Sequence, residues 1–99
     1  MLQHYVFIKY RSGTSETHIA EFSKRMLALC AVIAEIGQLD IGRDILRDAR
    51  SWDLALIMRF ESIEALRRYQ QHPDHLAVMA FNGPCVESVA SIDFVDTLH

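Results

Sequence analysis

The chain has 99 residues, of which 51% are hydrophobic and 23% are charged, and its formal net charge is −3 at pH 7. These values exclude a disordered chain and indicate one soluble globular domain, expected to span residues 1–99. No run of Lys or Arg exceeds two residues, which argues against a nucleic-acid partner. Apolar runs are far shorter than the ~20 residues of a membrane span, and the N-terminus lacks signal-peptide features.

The two cysteines, Cys30 and Cys85, lack the C-x-x-C spacing of redox and metal motifs. Such cysteines are typical of free thiols in a reducing compartment, so a cytoplasmic location is expected. Cys30 lies in an apolar run over residues 28–32, which predicts an inert residue of the core.

The first half of the chain predicts a strand, a helix and a second strand. Residues 4–10 are rich in β-branched and aromatic side chains, which is typical of a strand. Ser15 is a suitable helix N-cap, and apolar residues then recur at helical spacing as far as Ile36, so Gly37 is the expected C-cap. The second strand is expected over residues 39–45.

The second half predicts a strand over residues 53–60, a helix capped by Ser62, and a last strand over residues 86–95. Pro73 ends that helix because its ring cannot follow helical backbone, and it can begin another helix at the first position. Residues 76–81 would form a short continuation, which Asn82-Gly83-Pro84 ends.

This order of elements predicts an α+β, ferredoxin-like βαββαβ fold, in which an antiparallel four-stranded sheet carries the helices on one face. The first and third strands are apolar on both faces, although a sheet with one wet face should alternate apolar and polar residues. A second copy of the sheet is the simplest cover, so a homodimer is predicted. The alternative is a monomer with a few exposed apolar residues.

The segment Tyr69–His75 places one phenol and two imidazoles within seven residues. His75 would lie in the first turn of the helix that Pro73 begins, where the helix dipole and partial burial both favour neutral imidazole. A neutral base and a phenolic donor facing an apolar pocket suit proton abstraction beside a carbonyl. The structural alternative is that His72 caps a helix, His75 bonds a backbone carbonyl, and His4 is a satisfied core histidine.

Other kinds of site find little support in the sequence. No Ser-His-Asp or Cys-His set has a motif behind it, and the isolated glycines form no phosphate loop. His72, Asp74 and His75 are close in sequence, but the break at Pro73 removes the helical face that a metal site would use. Neither a metal nor a cofactor is predicted.

The chain also resembles the stress-responsive dimeric α/β-barrel (Dabb) family over nearly its whole length. The resemblance implies a dimeric α/β barrel in which two four-stranded sheets pack face to face. The matching segments are the opening strand His4–Tyr10, Ser15-Glu16 at the helix start, Gly42-Arg43 at the end of the second strand, Asp53–Leu56, Phe60–Ser62, Tyr69–His75, which fits Y-x-x-H-P-x-H, and Asp93-Phe94.

Within that family the chain is similar to polyketide cyclases of the olivetolic acid type, which close a linear polyketide by aldol condensation without cofactor or metal. The resemblance implies catalytic roles for Tyr69 and His75 and a pocket position for His4. Because the pocket side of the sheet then faces the helices, the resemblance also implies that Tyr5, Phe7 and Ile57 face the partner. Leu54 and Met26 stand where the cyclases have a histidine and a tyrosine, so a more apolar pocket is expected. The expected substrate-binding residues are His4, Val6, Ile8, Phe22, Met26, Leu54, Leu56, His72 and Leu76.

Three classes of function follow from these observations. The first is a cofactor-free acid–base enzyme, cyclase-like or lyase-like, acting on a small carbonyl or polyketide-like substrate. The second is a protein that binds a small apolar carbonyl ligand without turnover. The third is a structural stress-response dimer, in which Tyr69 and His75 could be replaced without consequence.

Overall fold

The computed structural model describes residues 1–96, so the last three residues of the expected domain lie outside the described part. No helix in the described part is long and apolar enough to cross a membrane. Its elements are β1 (Leu2–Tyr10), α1 (Glu16–Leu29), β2 (Gln38–Arg43), β3 (Leu54–Phe60), α2 (Ile63–Gln71), α3 (Pro73–Asn82) and β4 (Val86–Val95), with a 3-10 turn at Gly83–Cys85.

The four strands form one antiparallel sheet in the order β2-β3-β1-β4, which confirms the predicted ferredoxin-like fold. β1 is a central strand, and His4 lies opposite Met58 of β3 and Asp93 of β4. Directly opposite residues of paired strands point to the same side of a sheet. These three side chains therefore share one face. The break predicted at Pro73 is present, because α2 ends at Gln71 and α3 begins at Pro73. The continuation is longer than the predicted residues 76–81, since α3 spans Pro73–Asn82.

Side-chain caps determine where the helices begin. Ser15 Oγ accepts a hydrogen bond from the His18 N–H at 3.0 Å, and Ser62 Oγ accepts one from the Ala65 N–H at 3.1 Å. His72 Nδ1 accepts from the Asp74 N–H at 3.1 Å and so begins α3. Each cap satisfies an N–H group that has no partner within the helix.

The core lies between one sheet face and the helices. Phe22 and Met26 of α1 meet Met58 and Phe60 of β3, and all four side chains are 0% exposed. Their spacing along α1 and their alternation along β3 give each element one buried face. The predicted helical and strand periodicities therefore identify the residues that hold the two layers together.

The prediction that α1 extends to Gly37 is wrong, because the helix ends at Leu29. The N–H groups of Cys30 and Ala31 bond carbonyls three residues back, so the chain tightens into turns. Gly37 then donates its N–H to the Arg59 carbonyl at 2.9 Å, and a Cβ at this position would lie 3.0 Å from the same oxygen. Glycine is therefore needed for a close approach to β3 and not for a helix end.

The prediction that Cys30 belongs to the core is also wrong, since its side chain is exposed. Ile33, three residues later, is only 1% exposed and packs in the core from the turn. The apolar spacing that predicts a longer helix therefore identifies buried residues, and Ile33 is buried although the helix has already ended.

β2 is shorter than the predicted strand over residues 39–45, because it ends at Arg43. The Asp44 N–H still bonds the Asp53 carbonyl, but Arg47 then adopts a φ of 53° and turns the chain. Ile45 therefore lies outside the sheet and is 88% exposed, although it is apolar.

The second face of the sheet is apolar, as the sequence predicts. Tyr5, Phe7 and Ile57 are half-buried there, and Ile92 and Phe94 of β4 are 54% and 42% exposed. The Tyr5 and Phe94 rings lie 5.5 Å apart, so these side chains form a continuous patch. A patch of this kind on an isolated protomer indicates a surface that is buried in an assembly.

Replacing Phe22 by Ala should lower the free energy of unfolding by about 3–5 kcal/mol, because the change leaves a cavity in a fully packed core. Denaturant unfolding followed by circular dichroism measures this. Leu27→Ala is the matched control on the same helix, where the side chain is 51% exposed, and its cost should stay within about 0.5 kcal/mol. Equal losses for the two variants would contradict the assigned core.

Candidate active site

A cavity of about 490 Å³ opens between the sheet and the α2–α3 segment. Its size lies within the range of ordinary small-ligand pockets, roughly 300–1,000 Å³. Most of the surface of its wall is apolar, and six of the lining residues carry polar side chains. The lining residues are His4, Val6, Ile8, Leu56, Tyr69, Gln70, His75, Met79, Asn82, Gly83, Val86, Val89 and Ser91.

Six of the residues singled out from the sequence meet in this cavity. β1 and β3 supply the floor, and the other members come from either side of Pro73. The six are His4, Val6, Ile8, Leu56, Tyr69 and His75.

The other five expected ligand contacts do not line the cavity. Phe22 and Met26 are fully buried in the core, and Leu54 lines a separate cavity beside Trp52. The His72 ring serves as the cap of α3, and Leu76 is 53% exposed. An apolar residue between the sheet and the helices need not line the cavity, because Phe22, Met26 and Leu54 fill the core there instead.

Seven lining residues, three of them on β4, were not expected from the sequence. Val89 pairs with Ile8 and Ser91 with Val6, so the strand register would have identified both. The sequence around Asn82 predicts only the end of a helix. The missed residues are Gln70, Met79, Asn82, Gly83, Val86, Val89 and Ser91.

Tyr69 places its ring at the centre of the site, with a side chain that is 3% exposed. The ring centroid lies 5.2 Å from that of Phe60 and 4.3 Å from that of His75. Burial raises the pKa of the phenol far above its usual value, so the hydroxyl keeps its proton at neutral pH. Among residues 1–96 this hydroxyl makes no hydrogen bond, which leaves it available to a ligand.

His75 is arranged as a neutral base. Its Nδ1 lies 3.1 Å from the Gln70 carbonyl oxygen, and because a carbonyl can only accept, Nδ1 carries the proton and Nε2 has the lone pair. Burial lowers the pKa of His75, nearby His4 and His72 act in the same direction, and the Gln70 hydrogen bond opposes them. The imidazole is therefore uncharged at pH 7 and able to accept a proton.

His4 lies on the sheet beneath this pair and is 7% exposed. Its Nδ1 is hydrogen-bonded to the Asp93 carboxylate on the neighbouring strand β4. A carboxylate in this position fixes the orientation of an imidazole and favours a proton on Nδ1. His4 is thus satisfied by a partner, as the structural alternative expected, and also contributes to the cavity wall.

The two remaining expectations of that alternative are also met in the geometry. His72 caps α3, and His75 bonds a backbone carbonyl through Nδ1. The bond from His75 uses only one ring nitrogen, so it orients the ring without consuming its basic site. Within residues 1–96, no three His, Cys, Asp or Glu side chains are grouped so as to hold a metal ion.

A comparison with known protein families shows the family of this chain. The family model of the Stress Responsive A/B Barrel Domain matches residues 2–96. The chain belongs to this family. No curated protein matches it by sequence.

Solved structures show the same fold. A dimeric protein of unknown function with a ferredoxin-like fold from Bacteroides fragilis is 25% identical, with a TM-score of 0.84 over 94% of this chain and 93% of that chain. A protein from Arabidopsis thaliana is 23% identical, with a TM-score of 0.88 over 100% and 98% of the two chains. Hydroxynitrile lyase from Passiflora edulis is 18% identical, with a TM-score of 0.86 over 99% and 95%.

The lowered pKa of His75 predicts a dependence of stability on pH. Above the ordinary value of 6.5 the ring is neutral in both the folded and the unfolded chain. As the pH falls below that value the unfolded chain binds the proton first, so the folded protein loses stability until His75 titrates in the folded state too.

Two measurements test this pH dependence. An NMR titration of the imidazole C–H signals should give His75 a pKa below 6.5. The free energy of unfolding should fall more steeply between pH 7 and pH 5 for the wild type than for His75→Gln. A His75 pKa at or above the ordinary value would contradict the proposed environment.

Proposed function

We propose that this protein is a cofactor-independent acid–base enzyme acting on a small, largely apolar carbonyl compound. The observation that carries the proposal is the Tyr69–His75 pair, whose rings lie 4.3 Å apart at the wall of one cavity. One member is a protonated donor and the other a neutral acceptor at the same pH. Groups of opposite function at one apolar site are the minimum that proton transfer beside a carbonyl requires.

The chemistry assigns one role to each residue. The Tyr69 hydroxyl donates a hydrogen bond to the carbonyl oxygen of the ligand and stabilises the charge that develops there. His75 Nε2 removes the proton from the neighbouring carbon. The resulting enolate carbon either adds to a second carbonyl carbon of the ligand, whose oxygen then takes the proton from His75, or is reprotonated by His75. The His4–Asp93 pair holds a third polar group against the same ligand. The aliphatic side chains exclude water and strengthen these interactions.

The relatives support a reaction that forms or breaks a carbon–carbon bond. The Passiflora edulis neighbour is a hydroxynitrile lyase, and the sequence is similar to cyclases that perform an aldol condensation. Both kinds of reaction interconvert a carbonyl and a hydroxyl-bearing carbon, which needs a proton on the oxygen. The proposal for this chain is therefore cyclase-like or lyase-like chemistry on a small carbonyl or polyketide-like substrate.

The second candidate is a protein that binds the same class of ligand without turnover. It is favoured by the apolar cavity wall and by the structural roles that His72 and His75 already fulfil as a cap and a backbone contact. A stress-response dimer with no ligand is the third candidate. The cavity and its free phenol favour the first two over the third.

We further propose that the working form is a cytoplasmic homodimer. The apolar patch around Tyr5, Ile57 and Phe94 is partly exposed in the protomer, and structural neighbours from Bacteroides fragilis and Thermobifida fusca are described as dimeric. Packing two such faces together would bury both patches across a two-fold axis. Cys30 and Cys85 are free thiols, which fits a reducing compartment.

Tyr69→Phe and His75→Gln should each slow proton abstraction by roughly 10²–10⁴, the usual contribution of a positioned acid or base. Deuterium exchange at the α-carbon of a medium-chain methyl ketone, followed by NMR, measures this step without knowledge of the natural substrate. Tyr5→Phe is the matched control, because it removes the same hydroxyl from the opposite sheet face.

Stability measurements on the same variants separate chemistry from folding. Tyr69→Phe removes no intramolecular hydrogen bond, and His75→Gln removes one, so losses should stay within about 1 kcal/mol. Folded variants that bind the ketone but no longer exchange its proton would establish the enzyme. Binding without exchange in the wild type would favour the non-catalytic candidate, and no binding would favour the structural dimer.

The dimer makes a separate prediction. The protein should sediment as a dimer at micromolar concentration, and Ile57→Asp should produce monomers or unfolded chains, because it places a charge in the apolar patch. Ile45→Asp is the control, since this side chain is 88% exposed in a loop, and it should leave the dimer intact. A wild-type monomer at all concentrations would contradict the proposed assembly.

A further inference from the structure

A second cluster of polar side chains lies beside the cavity and is not used by the proposed reaction. Cys85 Sγ, in the turn before β4, lies 3.8 Å from His18 Nδ1 on α1. His18 Nε2 lies 3.0 Å from Asn82 Oδ1 at the end of α3. The Tyr10 hydroxyl donates to the same Asn82 oxygen at 2.8 Å. Four separate elements thus bring a thiol, an imidazole, an amide and a phenol together.

The hydrogen bonds determine which nitrogen of His18 carries the proton. Burial raises the pKa of Tyr10 to about 12, so its hydroxyl is protonated and donates to Asn82 Oδ1. An amide oxygen can only accept, so His18 Nε2 must also donate to it. The neutral imidazole then has its lone pair on Nδ1, the atom that faces the Cys85 sulfur.

Packing holds the imidazole in this orientation. The His18 ring stacks on Phe81, with centroids 4.6 Å apart and planes inclined by 17°. The Tyr10 and His18 rings form an edge-to-face contact with centroids 5.9 Å apart. The Arg25 guanidinium lies 3.9 Å from the centroid of the Phe81 ring. Asn82 is only 3% exposed, so the amide that orients the base is itself fixed within the protein. Among the described residues, the ionisable groups shown against the His18 ring are the Tyr10 phenol and the Cys85 thiol, and the nearest charge on its stacking partner Phe81 is the Arg25 guanidinium.

We propose that Cys85 is a nucleophilic thiol, activated by His18 and positioned through Asn82, which adds to uncharged electrophiles of the α,β-unsaturated carbonyl class. A thiol, an imidazole that can take its proton, and a third group that orients the imidazole are the components of nucleophilic catalysis by cysteine. The three occur here in that order and within hydrogen-bonding distance.

The proposed step is an addition in which no group leaves. His18 Nδ1 takes the thiol proton while Cys85 Sγ forms a bond to the β-carbon of the unsaturated carbonyl compound. The π electrons move to the α-carbon and carbonyl oxygen, and the resulting enolate recovers the proton from His18. The product is a thioether on Cys85, and no oxidant or cofactor takes part.

The location of the thiol suits an apolar carbonyl compound. Cys85 is half-buried, and Gly83 and Val86 on either side of it line the 490 Å³ cavity. Asn82 belongs to both the cavity wall and the thiol cluster. A ligand in the cavity therefore lies next to the turn that carries the nucleophile, although the Tyr69–His75 pair has no part in the addition.

The chain contains its own control for a test of this proposal. Cys30 is an exposed free thiol, and Cys85 is less accessible. With limiting N-ethylmaleimide at pH 7, we expect Cys85 to react at least tenfold faster than Cys30, as measured by mass spectrometry of the two cysteine peptides. Accessibility alone predicts the opposite order. A Cys85 that reacts no faster than Cys30 would overturn the proposal.

Substitutions in the cluster should affect one cysteine only. His18→Gln should slow alkylation of Cys85 at least tenfold and leave the rate at Cys30 unchanged. Asn82→Ala should also slow alkylation of Cys85, because His18 would lose the acceptor that orients its ring. Asn82→Asp keeps an acceptor for the Nε2–H of His18 and should retain the alkylation rate of Cys85. An unchanged Cys85 rate in folded His18→Gln would show that the imidazole is not its base.

The pH dependence of the alkylation rate in the wild type tests whether His18 assists Cys85, even if these variants fail to fold. A thiol assisted by imidazole reacts at a rate that levels off above the titration range of imidazole. The reaction rate of an unassisted thiol keeps rising, by about tenfold per pH unit, as the pH approaches 8.5. We expect the first profile for Cys85 and the second for Cys30 in the same sample, and two parallel rising profiles would overturn the proposal.

Discussion

The break at Pro73 is the constraint on which the candidate site depends. Tyr69 and His75 are six residues apart, and in one continuous helix a rotation of about 100° per residue would place them on different faces. Because Pro73 cannot continue α2, the chain restarts as α3 and the two rings come within 4.3 Å. The same break leaves the Gln70 carbonyl to orient the imidazole of His75. One proline thus assembles a donor and a base from two helices.

Much of this arrangement could be predicted from the sequence, because its physical causes are local. The proline break, the Ser15 and Ser62 caps and the alternation in β1 and β3 each depend on a few neighbouring residues. The end of α1 and the exposure of Cys30 could not be predicted in the same way. Apolar spacing records burial, and Ile33 is buried from a turn as effectively as it would be from a helix. The β4 side of the cavity depends on strand register, which is a long-range property.

Asn82 connects two polar systems that would otherwise be independent. It is part of the wall that surrounds a ligand, and its amide oxygen joins Tyr10 and His18. A buried amide of this kind is costly unless its oxygen and nitrogen are satisfied, so its neighbours are held in one arrangement. The same amide therefore forms part of the cavity wall and holds the hydrogen bonds of Tyr10 and His18.

The position of β1 between β3 and β4 has a consequence for the tolerance of the gene to length changes. Its even-numbered side chains, such as His4 and Val6, belong to the cavity, and its odd-numbered ones, such as Tyr5 and Phe7, belong to the opposite face. A single inserted or deleted codon within this strand would exchange the two sets, because strand side chains alternate with a period of two. The phenol and phenyl rings would then lie in the cavity, and an imidazole would lie on the opposite face of the sheet. Frame-preserving indels of one residue in β1 should therefore be rarer than point substitutions of equal chemical severity.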